Sequence, residues 1–396
     1  MAMLILFAIS AAVLVFLPSL FLFSQVVAAF FSNTTKEKVE DGHVPVAVLI
    51  PAHDEELVIE HTLKALTSQL NEKDSLVVVA DNCTDKTAEL AKKNGADVLV
   101  RIDQHNRGKG YALDAGISYI GEKGIVPEVL IIIDADCQIA PGSISRLANQ
   151  CLFHDRPVQA LDLMRSKENA GISQKVAEFA WVVKNQVRPL GSRQLGMPCQ
   201  LMGTGMAFPW RLLVEVDFAS DEIAEDMKLG IDLSLAGYPP VFDPYALVES
   251  FFPETTEAES QQRTRWEHGH LAMITSFGPK LIWSSLVKRD IRLLSLALDL
   301  IVPPLAMLVL VSLFSLLFSL LVFFLENSMV PFITSLLGML LLFFSVLLSW
   351  LKWGKNIVTI SELAFVPLYT LKKIPVYINF IYSRQKEWVK TDRQQK

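Results

Sequence analysis

The stretch "EVLIIIDADCQ", Glu128–Gln138, decides how the rest of the chain is read. An unbroken apolar run rich in isoleucine fits a strand covered on both faces. It stops at two carboxylates one residue apart, Asp134 and Asp136. At a strand end, where the chain splays, such a pair can hold a hard divalent cation with positions left open for diphosphate oxygens. The side-chain oxygen of Gln138, two residues further on, suits a third ligand. Asp-x-Asp alone also reads as a solvated acidic turn, and it is the apolar run before it that favours a site.

The flanking sequence alternates in the same style. Val44–Ile50 ("VPVAVLI"), Ser75–Ala80 and Ala96–Ile102 read as strands, and Glu55–Leu70, Asp85–Lys93, Gly108–Ile120 and Ser143–Leu152 as helices. Apolar strands alternating with helices predict an α/β fold, a Rossmann-like, mostly parallel sheet with ligands bound beyond the carboxyl ends of its strands. Those ends are acidic: "PAHDEE" (Pro51–Glu56), "ADNCTD" (Ala80–Asp85) and "DADCQ". A dinucleotide fold needs a glycine-rich phosphate turn after its first strand, where this chain has Asp54, Glu55 and Glu56. No GxxxxGK[ST] is present, so a P-loop ATPase is equally poor.

Three nearly uncharged runs, Leu4–Phe31, Leu305–Leu325 and Phe332–Leu351, are long enough for the ~20 residues of a bilayer crossing. The first has no basic leader and about twice the usual signal-peptide length, so it reads as an uncleaved anchor. Basic residues set the orientation. Lys36 and Lys38 follow the first run, Lys288, Arg289 and Arg292 precede the second, and Lys352 and Lys355 follow the third. The expectation is a multi-pass protein with its N-terminus outside and residues ~32–295 in the cytosol. Expected boundaries are an anchor over 1–31, a cytosolic α/β domain over 32–278, an interfacial helix over 279–295, two spans over 296–351 and an amphipathic tail over 352–396. The net charge of −6 argues against a nucleic-acid binder. Four scattered cysteines form no CxxC pair, which suggests neither a disulfide framework nor a zinc knuckle.

Taken in order, these elements resemble glycosyltransferase family 2, nucleotide-sugar enzymes of the GT-A fold, over about residues 44–270. "PAHDEE" is similar to the first nucleotide loop, implying nucleotide contacts from Pro51, His53 and Glu55, with Asp54 where the family usually has Asn. On its own residue chemistry, His53 reads as a structural residue. "ADNCTDKT" resembles the second loop, where Asp81 would meet the base. "RGKGYAL" (Arg107–Leu113) places Lys109 near base and phosphates, and "DADCQ" looks like the metal motif, with Asp134 also at the nucleotide. "AEDMKLG" (Ala224–Gly230) resembles the Glu-Asp element of the catalytic base, and "QRTRW" (Gln262–Trp266) the Gln-x-x-Arg-Trp signature of membrane polysaccharide synthases.

The chemistry implied is sugar transfer from a UDP-sugar. Mg²⁺ or Mn²⁺ on Asp134, Asp136 and Gln138, with Lys109 or Arg265 nearby, would neutralise the leaving diphosphate. Asp226 is the expected general base; its neighbour Glu225 projects about 100° away on a helix and is second in line. The same acidic run also reads as a favourable helix N-terminus. One base and no carboxylate nucleophile suit a single inverting displacement. Gly203, Thr204 and Gly205 in "QLMGTGMAFPW" are acceptor-site candidates, since glycine admits close approach, while Trp181 reads as packing. Gln262, Arg265 and Trp266 form an acceptor or diphosphate platform; an interfacial Trp-Arg cluster is the bland alternative. His268 and His270 read as packing or interfacial residues.

The expected role is an inverting, bacterial-type inner-membrane transferase acting on a lipid-linked or saccharide acceptor in exopolysaccharide or envelope glycan synthesis. A processive polysaccharide synthase of the cellulose, hyaluronan or poly-N-acetylglucosamine kind is the alternative. A silent membrane scaffold and a sugar nucleotidyltransferase are remote ones. The C-terminal spans leave open a homo-oligomer interface or a plain lipid anchor.

Overall fold

The computed structural model describes residues 2–32, 42–214, 216–220, 222–253 and 255–382. Lys36 and Lys38, which the orientation argument uses, lie outside the described residues, as does the end of the tail from 383 on. In chain order the helices are α1 (Ala2–Phe30), α2 (Ile59–Thr67), α3 (Thr87–Lys93), α4 (Lys109–Glu122), α5 (Ser143–His154), α6 (Ile172–Val182) and α7 (Arg188–Gln194). There follow α8 (Glu225–Leu235), α9 (Thr256–Lys288), α10 (Ile291–Leu300), α11 (Leu305–Glu326), α12 (Met329–Ser349), α13 (Ile360–Ala364), α14 (Val366–Leu371) and α15 (Ile374–Tyr382). The strands are β1 (Val46–Ala52), β2 (Ser75–Asp81), β3 (Asp97–Arg101), β4 (Val129–Ile132), β5 (Gln138–Ile139), β6 (Val158–Arg165), β7 (Met206–Pro209) and β8 (Val241–Phe251).

The chain divides into two compact units, each built from separated segments. One holds residues 34–165 and 198–262 and contains the eight-stranded sheet, in the order β3-β2-β1-β4-β7-β6-β8-β5. Residues on alternate sides of β1 enter opposite cores. Val46, Val48 and Ile50 meet Ile59 and Leu63 of α2 and Leu147 of α5, whereas Ala47 and Leu49 meet Leu113 and Ile120 of α4 and Leu233 of α8. This two-sided burial is why the strand sequences read as continuous apolar runs. Strands β3, β2, β1 and β4 are mutually parallel, as expected. The other half is mixed: β7 runs antiparallel to β4 and β6, and β5 to β8. The carboxyl ends of β1, β2 and β4 lead into the acidic loops at Pro51–Glu56, Ala80–Asp85 and Asp134–Gln138.

The other unit gathers residues 1–33, 166–197 and 263–385. Residues 166–197 therefore cluster with the apolar helices, although the sequence places them inside the expected α/β domain. Three helices, Ala2–Phe30, Leu305–Glu326 and Met329–Gly354, are long and apolar enough to cross a membrane. Helix α1 runs along α12 and α7, and small residues set the approach. A Cβ on Gly191 of α7 would fall 2.0 Å from the Gln25 carbonyl oxygen, so only glycine admits this contact. The carbonyls at the end of α1 accept from Lys352 Nζ, at 2.7 Å for Phe30 and 3.2 Å for Ala29, a cation placed where the helix dipole favours one.

Inside this unit lies a buried polar network. Gln25 donates to Ser192 Oγ at 2.9 Å and to Asp299 Oδ1 at 2.7 Å, and Arg188 donates to the same carboxylate at 2.8 Å. The interfacial helix expected to begin at Pro279 does not begin there. Helix α9 runs through Pro279 unbroken, and the break comes at Arg289, in left-handed backbone (φ 52°), followed by Asp290 capping α10. The expected amphipathic tail is three short helices, the first entered through a capping box between Thr359 and Glu362.

Candidate active site

The carboxyl ends of β1, β2 and β4 and the start of α8 assemble the site within the sheet unit. Gly108, at φ 128°, turns the chain into α4, so that Lys109 is its first residue. Its ammonium lies 2.5 Å from Asp134 Oδ1 and 3.9 Å from Glu225 Oε1, and donates to the Gly203 carbonyl at 2.8 Å. A Cβ on Gly203 (φ 91°) would sit 3.5 Å from both Asp226 Oδ2 and Lys109 Nζ. Five of the sequence candidates therefore converge: Lys109, Asp134, Gly203, Glu225 and Asp226. The two neighbouring acids at the start of α8 both act on Lys109, despite their different directions from the helix axis.

The electrostatics follow from one cation among several acids in a partly closed space. Burial pushes the Glu225 carboxyl up to about 7, with Asp226 adding to the rise and Lys109 opposing it. Burial likewise raises Asp134, against the pull of Lys109. Burial works against the Lys109 charge, but Asp134 and Glu225 outweigh it and hold the ammonium above its ordinary range. One positive charge surrounded by more negative ones favours adding a second cation.

The donor set fits a divalent cation. Ligand atoms of Asp134, Asp136 and Cys137 lie within 4.8 Å of one another. Burial keeps the Cys137 thiol well above its ordinary range, which leaves the two carboxylates as hard-oxygen ligands of the kind Mg²⁺ and Mn²⁺ take. Gln138 opens β5, in register with Glu249.

Other candidates take supporting places. The Thr204 hydroxyl is buried and accepts from the Asp134 backbone N–H at 3.1 Å, so it fixes the metal loop. A Cβ on Gly205 would meet Ala160 and Val248 at 2.8 and 2.9 Å, which makes that glycine a packing requirement. Pro51 lies in β1 opposite Val79. His53 Nδ1 is 2.6 Å from the Asp81 carbonyl oxygen, and the Glu55 N–H donates to Thr87 at 2.7 Å. Asp54, in left-handed backbone (φ 52°), accepts from Thr84 N–H at 2.6 Å. It braces the first loop against the second, and a carboxylate suits that role as well as an amide.

Two residues were not foreseen. Arg101 donates to Asp81 Oδ1 at 2.7 Å and to Asp103 at 3.0 Å; an arginine ending an apolar strand was the available signal. Gln159, fully buried, accepts from Met202 N–H and donates to the Thr204 carbonyl, both at 2.8 Å. It holds the 202–204 turn in place, and a lone amide in the run "VQALDLM" was its only trace.

The signature on α9 is divided between the units. Gln262 belongs to the sheet unit and is buried; its Oε1 accepts no hydrogen bond among the described residues. Arg265 and Trp266 belong to the other unit, where Trp266 stands against Trp181 with ring centres 4.7 Å apart. His268 and His270 are buried there, bonded to the carbonyls of Val376 and Leu300.

A sheet of this order with paired aspartates beyond a central strand defines a glycosyltransferase of the GT-A fold. The chain belongs to glycosyltransferase family 2: the model of "Glycosyltransferase like family 2" matches residues 43–269. Among curated proteins, the probable glycosyltransferase YdaM of Bacillus subtilis is 26% identical over 264 residues, 63% of this chain and 60% of that protein. The poly-beta-1,6-N-acetyl-D-glucosamine synthase of Staphylococcus aureus is 26% identical over 240 residues, 59% of this chain and 56% of that one. The match thus spans a little over half the length of these relatives. The solved mannosyltransferase PcManGT of Pyrobaculum calidifontis, in complex with GDP-Man and Mn²⁺, aligns over 96% of this chain and 100% of its own. Its TM-score is 0.58 at 14% identity, a likeness of fold.

Proposed function

We propose that this glycosyltransferase inverts the anomeric centre of a UDP-sugar as it transfers the sugar to a lipid-linked or saccharide acceptor in cell-envelope glycan synthesis. The observation that carries this reading is the cluster of Lys109, Asp134, Glu225 and Asp226 around Gly203. Asp226 takes the proton of the acceptor hydroxyl as its oxygen bonds the anomeric carbon, and the diphosphate departs with the electrons of the broken bond. Lys109 lies beside Asp134, where negative charge would build. Asp134 and Asp136, with Gln138, would hold Mg²⁺ or Mn²⁺, which supplies Lewis-acid neutralisation of the leaving group. Gly203 leaves room for the acceptor, and the unmet oxygen of Gln262 suits a ligand hydroxyl or amide.

Arg265 and Trp266 are assigned to acceptor or diphosphate binding, a fork and a flat apolar face. The catalytic unit is placed in the cytosol of a bacterial-type inner membrane, with the N-terminus outside, on the strength of the basic residues flanking the apolar helices. Nucleotide release by the purified protein in detergent, across UDP- and GDP-sugars, tests the reading. With the active donor, EDTA or Asp134→Ala is expected to lower turnover by about 10²–10³-fold, the loss that follows removal of one charge-stabilising group. Turnover that survives both would overturn the metal assignment, and turnover with GDP-sugars alone would overturn the uridine donor.

The likeness to a poly-beta-1,6-N-acetyl-D-glucosamine synthase and the Gln-x-x-Arg-Trp element favour a second reading, processive synthesis. Product length with donor in excess separates the two. Single or few additions are expected, and a ladder of long chains would establish the synthase.

A further inference from the structure

The C-terminal helices α13–α15 read from sequence as a membrane-surface tail, yet several polar side chains of this segment turn inward. Lys373, 8% exposed, reaches Glu267 Oε1 at 2.9 Å. The carbonyl of Val376 lies 2.9 Å from His268 Nε2, and Phe380 meets the His268 ring edge-on at 5.4 Å. Tyr377 also sits beside Glu267: burial first, and then that carboxylate, push its phenol up. On the other side Glu362 pairs with Lys175 at 3.2 Å and the Tyr369 hydroxyl bonds Ser173 at 3.1 Å, both on α6. The Arg263 guanidinium lies over the Tyr369 ring.

Every one of these contacts falls on α6 or on the Arg263–His268 turn of α9. Those two helices carry Trp181 and Trp266, whose rings meet at 4.7 Å. Successive residues on a helix point about 100° apart, so Glu267 and His268 can be held from one side while Trp266 faces α6. Fixing them fixes the rotation and height of α9, and with it the plane of Trp266. A tail that served only as a lipid anchor would turn its lysines outward to headgroups; Lys372 is exposed, but Lys373 is not.

We propose that α13–α15 form a clamp that holds α6 and α9 together and sets the Trp181–Trp266 pair, with Lys373 and Glu267 as its positioning residues. The consequence for turnover rests on the assignment of Trp266 to acceptor binding made above; the clamp itself does not.

Two indoles in contact at a skewed angle, here 50° between ring planes, give a far-ultraviolet exciton couplet, identified as the part of the circular dichroism spectrum that Trp181→Phe removes. In the full-length protein in detergent, Lys373→Ala is expected to abolish that couplet while Lys372→Ala retains it. Lys373→Arg and the charge-swapped pair Glu267→Lys with Lys373→Glu are expected to restore it, which separates a lost clamp from a lost fold. Turnover in Lys373→Ala is expected to fall by about 10–10²-fold, as misplacement of a binding group by an ångström does, with the KM for nucleotide-sugar unchanged. A couplet that persists in Lys373→Ala, or a loss matched by Lys372→Ala, would overturn the clamp. A lost couplet with unchanged turnover would uphold the clamp and overturn the acceptor role of Trp266.

Discussion

Asparagine in place of Asp226 is expected to slow sugar transfer by about 10²–10⁴-fold, the range a positioned general base contributes, with nucleotide-sugar binding retained. The side chain keeps its shape, but an amide cannot take up the acceptor proton. Its place supports this assignment, since Asp226 Oδ2 borders the space that the missing side chain of Gly203 leaves open. Glu225 is the necessary comparison. Burial pushes its carboxyl up to about 7, but its Oε1 faces Lys109 at 3.9 Å, and it is Asp226, not Glu225, that borders the open space beside Gly203. Glu225→Gln is therefore expected to lower turnover less than Asp226→Asn when both are measured as nucleotide release at saturating donor. The reverse order would exchange the two roles.

Alanine in place of Asp299 should destabilise the helical unit by about 3–5 kcal/mol, as breaking one side of a buried ion pair does. Arg188 and Asp299 are each 7% exposed. The guanidinium donates both to the carboxylate, at 2.8 Å, and to the Asp299 backbone carbonyl, at 2.6 Å. Gln25 loses a partner as well. A buried charge without its counter-ion has no good alternative, whereas replacing both charges by apolar groups is often near neutral. The double variant Arg188→Met with Asp299→Leu is thus expected to recover much of the loss. Thermal unfolding in detergent reads both; a single variant that melts with the wild type would mean that solvent reaches the pair.

Why some of this was legible and some was not has physical reasons. Strands β1, β2 and β4 showed themselves because each is covered on both faces, which demands a continuous apolar run. Strand β3, at the sheet edge, is only partly covered and showed itself by its β-branched residues. Strand β7 has four residues, too few for any period to show, and β8 is interrupted by Asp243-Pro244. The mixed half of the sheet was hidden for that reason. At the site, Lys109, Asp134, Glu225 and Asp226 stand out because their order and spacing carry chemistry. The division of labour within "GTG" does not: Gly203 borders the acids, Thr204 supports the Asp134 loop, and Gly205 fits between Ala160 and Val248. Only the fold separates three adjacent residues in that way. Trp181 read as packing, since nothing local indicates a partner 85 residues further on.

The network that ties α1 into its unit also sets an order of assembly. Gln25 and its partner Asp299 are 274 residues apart in the chain, so at ~5–20 residues per second roughly 15–55 s of synthesis separate them. For that interval the Gln25 amide on α1 is without the carboxylate that later receives it, and an unmet polar group on an apolar helix is costly. Helix α1 thus completes its contacts only after α10 is made, and a nascent chain halted before Asp299 leaves that seam unfinished.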